Sequence, residues 1–404
     1  MPRRLSTPEF IAMIAMLFAT IAFSIDAMLP ALPTIGEELT PDDLNQAQLV
    51  ITSFVFGMGV GTLFTGPLSD AFGRKVVLLS GAALYAAMAL LAWWAESLET
   101  LLAARALQGL GAAGPRVVAL AIVRDLYSGR QMARIMSFVM LVFSLVPALA
   151  PSLGAVIIYF LGWRAIFATF VIFAAATGLW LALRQSETLP IEARIPFRFA
   201  NFMSAFREVG SNKMFVLSVL VQTLVFGMLM SVISTTQQIY DVTFDEGARF
   251  PLWFGATAII ASSASLVNAA LVVRLGMRYL ISVALAGQFI ASLLMAVMTA
   301  GGLWPDWAYF PAYFAWSTSI FFILGLTLGN LNALAMEPMG HIAGMAASII
   351  GAVSTVLAVL IAVPIGLAFD GTPVPLAVGA VVLTGIGWLL MRRVAQLERV
   401  ASST

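Results

Sequence analysis

The chain has 404 residues, 61% of them hydrophobic and 10% charged, with a net charge of +1. Soluble domains carry roughly 25% charged residues, so water is not the main solvent of this chain. Without cysteine it forms no disulfide, thiolate metal site, cysteine nucleophile or cysteine-linked lipid, and His341, its single histidine, cannot build a paired-histidine zinc site.

The N-terminal MPRRLSTPEF runs into an apolar stretch that contains Asp26, Pro30 and Pro33. No small-residue cleavage site follows, so a first transmembrane helix is expected rather than a cleaved signal peptide. Apolar runs of about 20 residues cross a bilayer as helices, because every backbone N–H and C=O must be paired inside lipid. Such runs predict about twelve spans, at about 10–33, 46–69, 76–95, 100–123, 131–158, 164–184, 213–237, 250–273, 279–300, 308–335, 343–369 and 374–392. The longest polar connection, 185–212, is expected to be a linker between an N-terminal bundle, 1–184, and a C-terminal bundle, 213–404. Within it Phe199, Phe202 and Phe206 share one helical face among basic residues. Two readings stay open for that segment: a short helix at the membrane surface, or a loop whose phenylalanines pack on the bundle.

Arginine and lysine set the orientation. With the N-terminus inside, the inside segments hold nearly all of them, from Arg3 and Arg4 through Arg74, Lys75 and the linker arginines to Arg392, Arg393 and Arg399. The outside segments hold Arg164 and Arg249 together with acidic Glu37, Glu38, Asp42, Asp43, Asp241, Asp245 and Glu246. Both termini are therefore expected in the cytoplasm. The net charge gives no reason to expect nucleic acid as a partner.

The two halves look like a diverged repeat. GPLSDAFGRK after the second span has a weak counterpart, AALVVRLGMR, after the eighth. Aligning Gly73 with Gly276 puts Val273 opposite Asp70. Parallel six-helix repeats of this kind are a known transporter plan.

GPLSDAFGRK (66–75) resembles the loop signature G-x-L-a-D-r-x-G-r-k of the major facilitator superfamily. In it Gly66 allows close packing, Gly73 a tight turn, and Asp70 can face a helix N-terminus. Arg74, beside Lys75, can pair with Asp125 at the end of the fourth span. The resemblance implies that this cluster latches the halves together in one conformation. The fourth span carries Leu101, Arg105, Gln108, Gly109, Gly111, Ala112 and Ala113, similar to the family's l-x-x-x-R-x-x-q-G-x-g-a-a. Arg116 returns to within about 20° of the face of Arg105. Arginines inside a membrane are costly and mark function by default, although Arg116 can also snorkel to headgroups. In the fifth span, APSLGA at 150–155 resembles the antiporter signature G-P-x-x-G-G. Pro151 and Gly154 are kept and alanine replaces two glycines, so close helix contact and a proline kink survive. IDAMLPALP at 25–33, RDLY at 124–127, GWR at 162–164, ETLP at 187–190 and PMGHIAG at 338–344 resemble the branch of twelve-helix drug:proton antiporters that confer bicyclomycin and chloramphenicol resistance.

That resemblance implies the major facilitator fold, an all-α membrane protein of two six-helix bundles related by a pseudo-twofold axis. Asp26 is the one acidic residue placed inside a span. A carboxyl poised between burial and a neighbouring arginine, Arg105 or Arg116, can load and release a proton as the two sides are exposed in turn. Protonation removes a charge whose unpaired burial costs on the order of several kcal/mol, enough to bias two conformations of similar energy. The alternative is a structural Asp26 paired with one of those arginines. Phe23 and Leu29 flank Asp26 at one turn, and Gln108, Gln222, Asn268, Asn330 and Asn332 are uncharged polar groups inside spans. Each is a candidate substrate contact, and each can equally be an interhelical hydrogen bond.

Neither lysine follows a glycine, so no Walker A loop is present, and polar groups in the spans are too sparse for most embedded enzymes. The chain is therefore expected to be a non-enzymatic, proton-coupled exporter of drug-like or other small organic molecules. Its place is the bacterial inner membrane, and it is expected to work as a monomer with no cofactor or metal. Two alternatives remain: a proton symporter importing a nutrient or metabolite, and a non-transporting sensor on the same fold.

Overall fold

Backbone groups in hydrocarbon have no water to bind, and this chain satisfies them with helices. The computed structural model describes residues 5–403, leaving aside the side chains of 201–202 and 395–403. Arg3, Arg4 and the side chains of Phe202 and Arg399 thus lie outside the described residues. Fourteen α-helices follow in order: α1 (Thr7–Asp26), α2 (Leu32–Leu39), α3 (Leu49–Phe72), α4 (Arg74–Trp93), α5 (Leu98–Leu126), α6 (Gly129–Leu161), α7 (Ala165–Arg184), α8 (Phe199–Ser211), α9 (Lys213–Gln238), α10 (Phe250–Leu275), α11 (Met277–Ala300), α12 (Asp306–Met336), α13 (Ala343–Leu367) and α14 (Val374–Ser403). Eleven stretches are long and apolar enough to cross a membrane, and one of them, Asp306–Leu367, holds both α12 and α13 around the 3₁₀ turn Glu337–Ile342. Leaving out the short α2 and α8, twelve long helices stand where about twelve spans were expected.

The first span departs from expectation. A helix over 10–33 was predicted, but α1 ends at Asp26, and a short 3₁₀ turn, Leu29–Ala31, precedes α2. Pro30 and Pro33 explain the break, because each lacks an N–H and crowds the turn before it.

The chain divides into two compact units, Met1–Phe202 and Met203–Thr404. In the first, helices come together where side chains are small, since lipid gives apolar side chains no reason to prefer protein. A Cβ on Gly57 of α3 would collide with the main-chain carbonyl of Ala106, and one on Gly109 of α5 with that of Phe54. The two backbones therefore touch. Leu78, Val118, Ile122, Ile135 and Leu181 fill the adjoining core with α1 residues Phe10, Met13 and Ile14. In the second unit Val221, Val225, Ile281, Leu285, Leu331 and Leu334 join α9, α11 and α12. Gly73 (φ 104°) closes α3 and opens α4, and Gly276 (φ 81°) does the same between α10 and α11, so the two positions aligned in the repeat share one left-handed turn geometry.

Candidate functional site

Asp26 is the last residue of α1, and among the described residues it is the one buried acid, 5% exposed. The chain turns directly after it, with Ala27 N donating to Phe23 O at 3.1 Å and Met28 N to Ile25 O at 3.3 Å. Gly154 of α6 lies against the carbonyl of Ala27, so close that a Cβ there would overlap it. Pro151, one turn earlier, is buried too. The small residue of the fifth-span signature thus seats α6 on the break in the first span. The Asp26 carboxyl has no hydrogen-bond or ion-pair partner among the described residues.

Arg105 is fully buried and is engaged elsewhere. Its Nε donates to Val50 O at 3.1 Å, Nη2 to Ser24 O at 2.9 Å and Nη1 to Gln108 Oε1 at 2.8 Å. Its guanidinium carbon stands 4.3 Å from the centre of the Phe54 ring and 5.9 Å from that of Phe170. The cation is thus held by neutral acceptors and aromatic faces rather than by a carboxylate. Ser24 Oγ donates to Thr20 O at 2.5 Å, which leaves the Tyr85 hydroxyl to donate to Ser24 Oγ, also at 2.5 Å. One network therefore ties α1, α3, α4 and α5 together. Arg116 is exposed on α5 and has no described partner, so the two arginines expected on one stripe sit in opposite environments.

Other candidates are also committed to packing. Phe23 packs its ring against Phe170 and Phe173 with centroids 5.4 and 5.5 Å away, and Leu29 is fully buried. In the second unit Gln222 Nε2 donates to Ser354 Oγ at 3.3 Å, joining α9 to α13, while its buried Oε1 has no partner among the described residues. Asn330 Nδ2 donates to Asn268 Oδ1 and to Leu326 O, each at 2.8 Å, joining α12 to α10. Asn332 is half-buried.

The loop between α3 and α4 forms a dense ionic cluster. Arg74 Nη1 donates to Asp70 Oδ1 at 2.5 Å and to Ser69 Oγ at 2.7 Å, and its Nε donates to Asp125 Oδ2 at 3.2 Å. Ser69 Oγ donates in turn to Gly66 O. Lys75 Nζ donates to Ala182 O at 2.6 Å. The carboxylate at the N-terminus of α4 belongs to Glu187: its Oε1 accepts from Arg74 N at 2.9 Å and its Oε2 from Lys75 N at 3.0 Å. A carboxylate there meets otherwise unpaired amides and the positive end of the helix dipole. Thr188 Oγ1 donates to Asp125 Oδ2, and Ile195 N to Asp70 O, so the start of the linker is bound into the same cluster.

Sequence reasoning missed Ser24, Tyr85 and Ser354 because hydroxyls are common in spans and their partners lie on other helices. Glu187 entered as part of ETLP, without the capping role. Its place directly before Thr188 and Pro190, at the end of a span, is the signal that could have raised it.

Twelve long apolar helices around a few buried polar groups define a multi-pass membrane protein. The chain belongs to the Major Facilitator Superfamily, whose profile matches residues 12–363, and members of that family are transporters rather than enzymes. It is 30% identical over 372 residues, 91% of this chain and 90% of the other, to the uncharacterized MFS-type transporter YdgK of Bacillus subtilis. It is 31% identical over 359 residues, 87% of each chain, to the bicyclomycin resistance protein homolog of Haemophilus influenzae. The crystal structure of a D-xylose-proton symporter superposes with a TM-score of 0.70 at 14% identity, covering 94% of this chain and 97% of that one, a likeness of fold.

Proposed function

We propose that the protein is a proton-coupled exporter of small, drug-like organic molecules across the bacterial inner membrane, working by alternating access, with Asp26 as the proton site. The observation that carries this reading is the Asp26 carboxyl, buried where the first span breaks and without a partner, while Arg105 is occupied by Val50, Ser24 and Gln108. A carboxyl tied permanently to an arginine is a poor proton carrier, and an unpaired one is free to exchange. The bicyclomycin-resistance name of the Haemophilus relative supports a drug-like substrate and outward transport. Arg116, exposed on the same helix face that Arg105 leaves, is the cation nearest in role to a partner for Asp26 in another conformation of the cycle.

The test is tolerance of a pump-deficient bacterial host to a drug panel that includes bicyclomycin, with flux followed in proteoliposomes. Overexpression is expected to raise tolerance, a protonophore to abolish it, and Asp26→Asn to remove both export and coupled proton release at normal expression. Inward accumulation of substrate, or full proton-driven export by Asp26→Asn, overturns the proposal.

A further inference from the structure

The linker carries apolar surface that the transport site does not use. Ile191, Ile195 and Phe199 are 73%, 63% and 59% exposed, and Phe206 is 43% exposed, all between the last residue of α7 and the first of α9. Single exposed apolar residues are ordinary, but a run of them outside any span is a patch that needs a partner. Helix α8 sorts its side chains by face. Ala205 and Val209, four apart, are buried and form the seam on the protein. Phe199 and Phe206, seven apart, fall within about 20° of each other on a neighbouring face, and Arg207 lies about 80–100° beyond them. Glu208, on the far side of the seam, stands 2.5 Å from His341 Nε2, which occupies its carboxylate. Exposed Arg198, Arg207 and Lys213 leave the outer side of the segment basic.

We propose that residues 191–211 form a strap lying on an anionic lipid surface, with Phe199 and Phe206 inserted between headgroups and Arg198 and Arg207 on lipid phosphates. Two observations select the membrane as occupant. The segment joins two consecutive spans, so both its ends are anchored at one face of the bilayer, and lipid is already within reach. Its faces also follow the order of an interfacial helix, with an apolar face at the acyl boundary and basic side chains flanking it. Cytoplasmic leaflets are the anionic ones, in keeping with the basic character of this side of the chain.

The absence of cysteine makes the test direct, since a single introduced thiol can carry a nitroxide without altering other sites. Gly210→Cys is the first choice. It lies between the two phenylalanines on the helical wheel, nothing stands within 4 Å of a Cβ built there, and both rings are kept. The full chain is reconstituted in nanodiscs of phosphatidylcholine with and without phosphatidylglycerol, and collision with oxygen is compared with collision with an aqueous nickel chelate. Oxygen is expected to dominate several-fold relative to a label at exposed Asp43→Cys, more strongly with phosphatidylglycerol, and Arg198→Gln with Arg207→Gln is expected to remove that lipid dependence. Dominant nickel collision means a solvated strap, and protection from both reagents means packing on protein or on a second copy; either result overturns the proposal. Phe206→Cys gives the same readout should Gly210→Cys fail to fold.

Discussion

Gly154 of α6 meets the backbone of Ala27 with no room for a side chain, one residue beyond Asp26. The break in the first span and the small residue of the fifth are one contact. Gly154→Ala is expected to push the helices apart and cost about 1–3 kcal/mol. Gly178→Ala serves as the control, since a Cβ there finds Ala82 at an ordinary 3.6 Å. Thermal unfolding in detergent should separate the two, and equal stability of both variants would refute the contact as drawn.

Arg105 and Asp26 should respond oppositely to neutralisation. Arg105→Leu takes a charged donor from Val50, Ser24 and Gln108, and is expected to cost roughly 2–4 kcal/mol. Arg105→Lys should recover little, because an ammonium cannot reproduce the planar fork. Asp26→Asn breaks no described bond, so its unfolding temperature should match or exceed that of the parent. A sharp fall in stability for Asp26→Asn would reveal a partner and return Asp26 to a structural role.

Glu187→Ala removes the carboxylate from the first turn of α4 and should cost about 0.5–2 kcal/mol, the range for a lost N-cap. Hydrogen exchange at the amides of Arg74 and Lys75 is the local readout. These two are expected to lose protection while α9–α14 stay unchanged.

Asn268 and Asn330 can be tested as a pair. An interhelical hydrogen bond in a membrane protein is worth about 0.6 kcal/mol, rarely above about 1.7. A double-mutant cycle with Asn268→Ala and Asn330→Ala is expected to return a coupling of that size in stability. No coupling in stability, together with a changed substrate profile, would instead make these residues substrate contacts.

The spans were legible because the requirement for intrahelical pairing in lipid leaves a mark that needs no tertiary knowledge, an uninterrupted apolar run. Asp26 and Arg105 were legible because a charge in such a run is rare. What spacing could not supply was the neighbour. Helical periodicity put Arg105 and Arg116 on one stripe, but which acceptors fill the space beside Arg105 depends on the approach of α1 and α3. Asp26 and Arg105 were read as possible partners for want of others, and the carbonyls of Ser24 and Val50 carry no signal in sequence. Pro30 and Pro33 announced a kink, and the full interruption after Asp26 also needs α6 pressed against Ala27. Arg74 with Asp125 was read from a signature whose spacing matched over its whole length, whereas Glu187 joins that cluster across 113 residues of chain.

That separation bears on the order of assembly. A ribosome adding roughly 5–20 residues per second delivers Glu187 on the order of ten seconds after the first turn of α4 has emerged. Until then the amides of Arg74 and Lys75 have no carboxylate to bind, and Asp70 and Asp125 can compete for the same arginine. The N-terminal bundle is thus closed late, by the segment that follows its sixth span, and a nascent chain stalled before residue 187 should hold α4 with an open end.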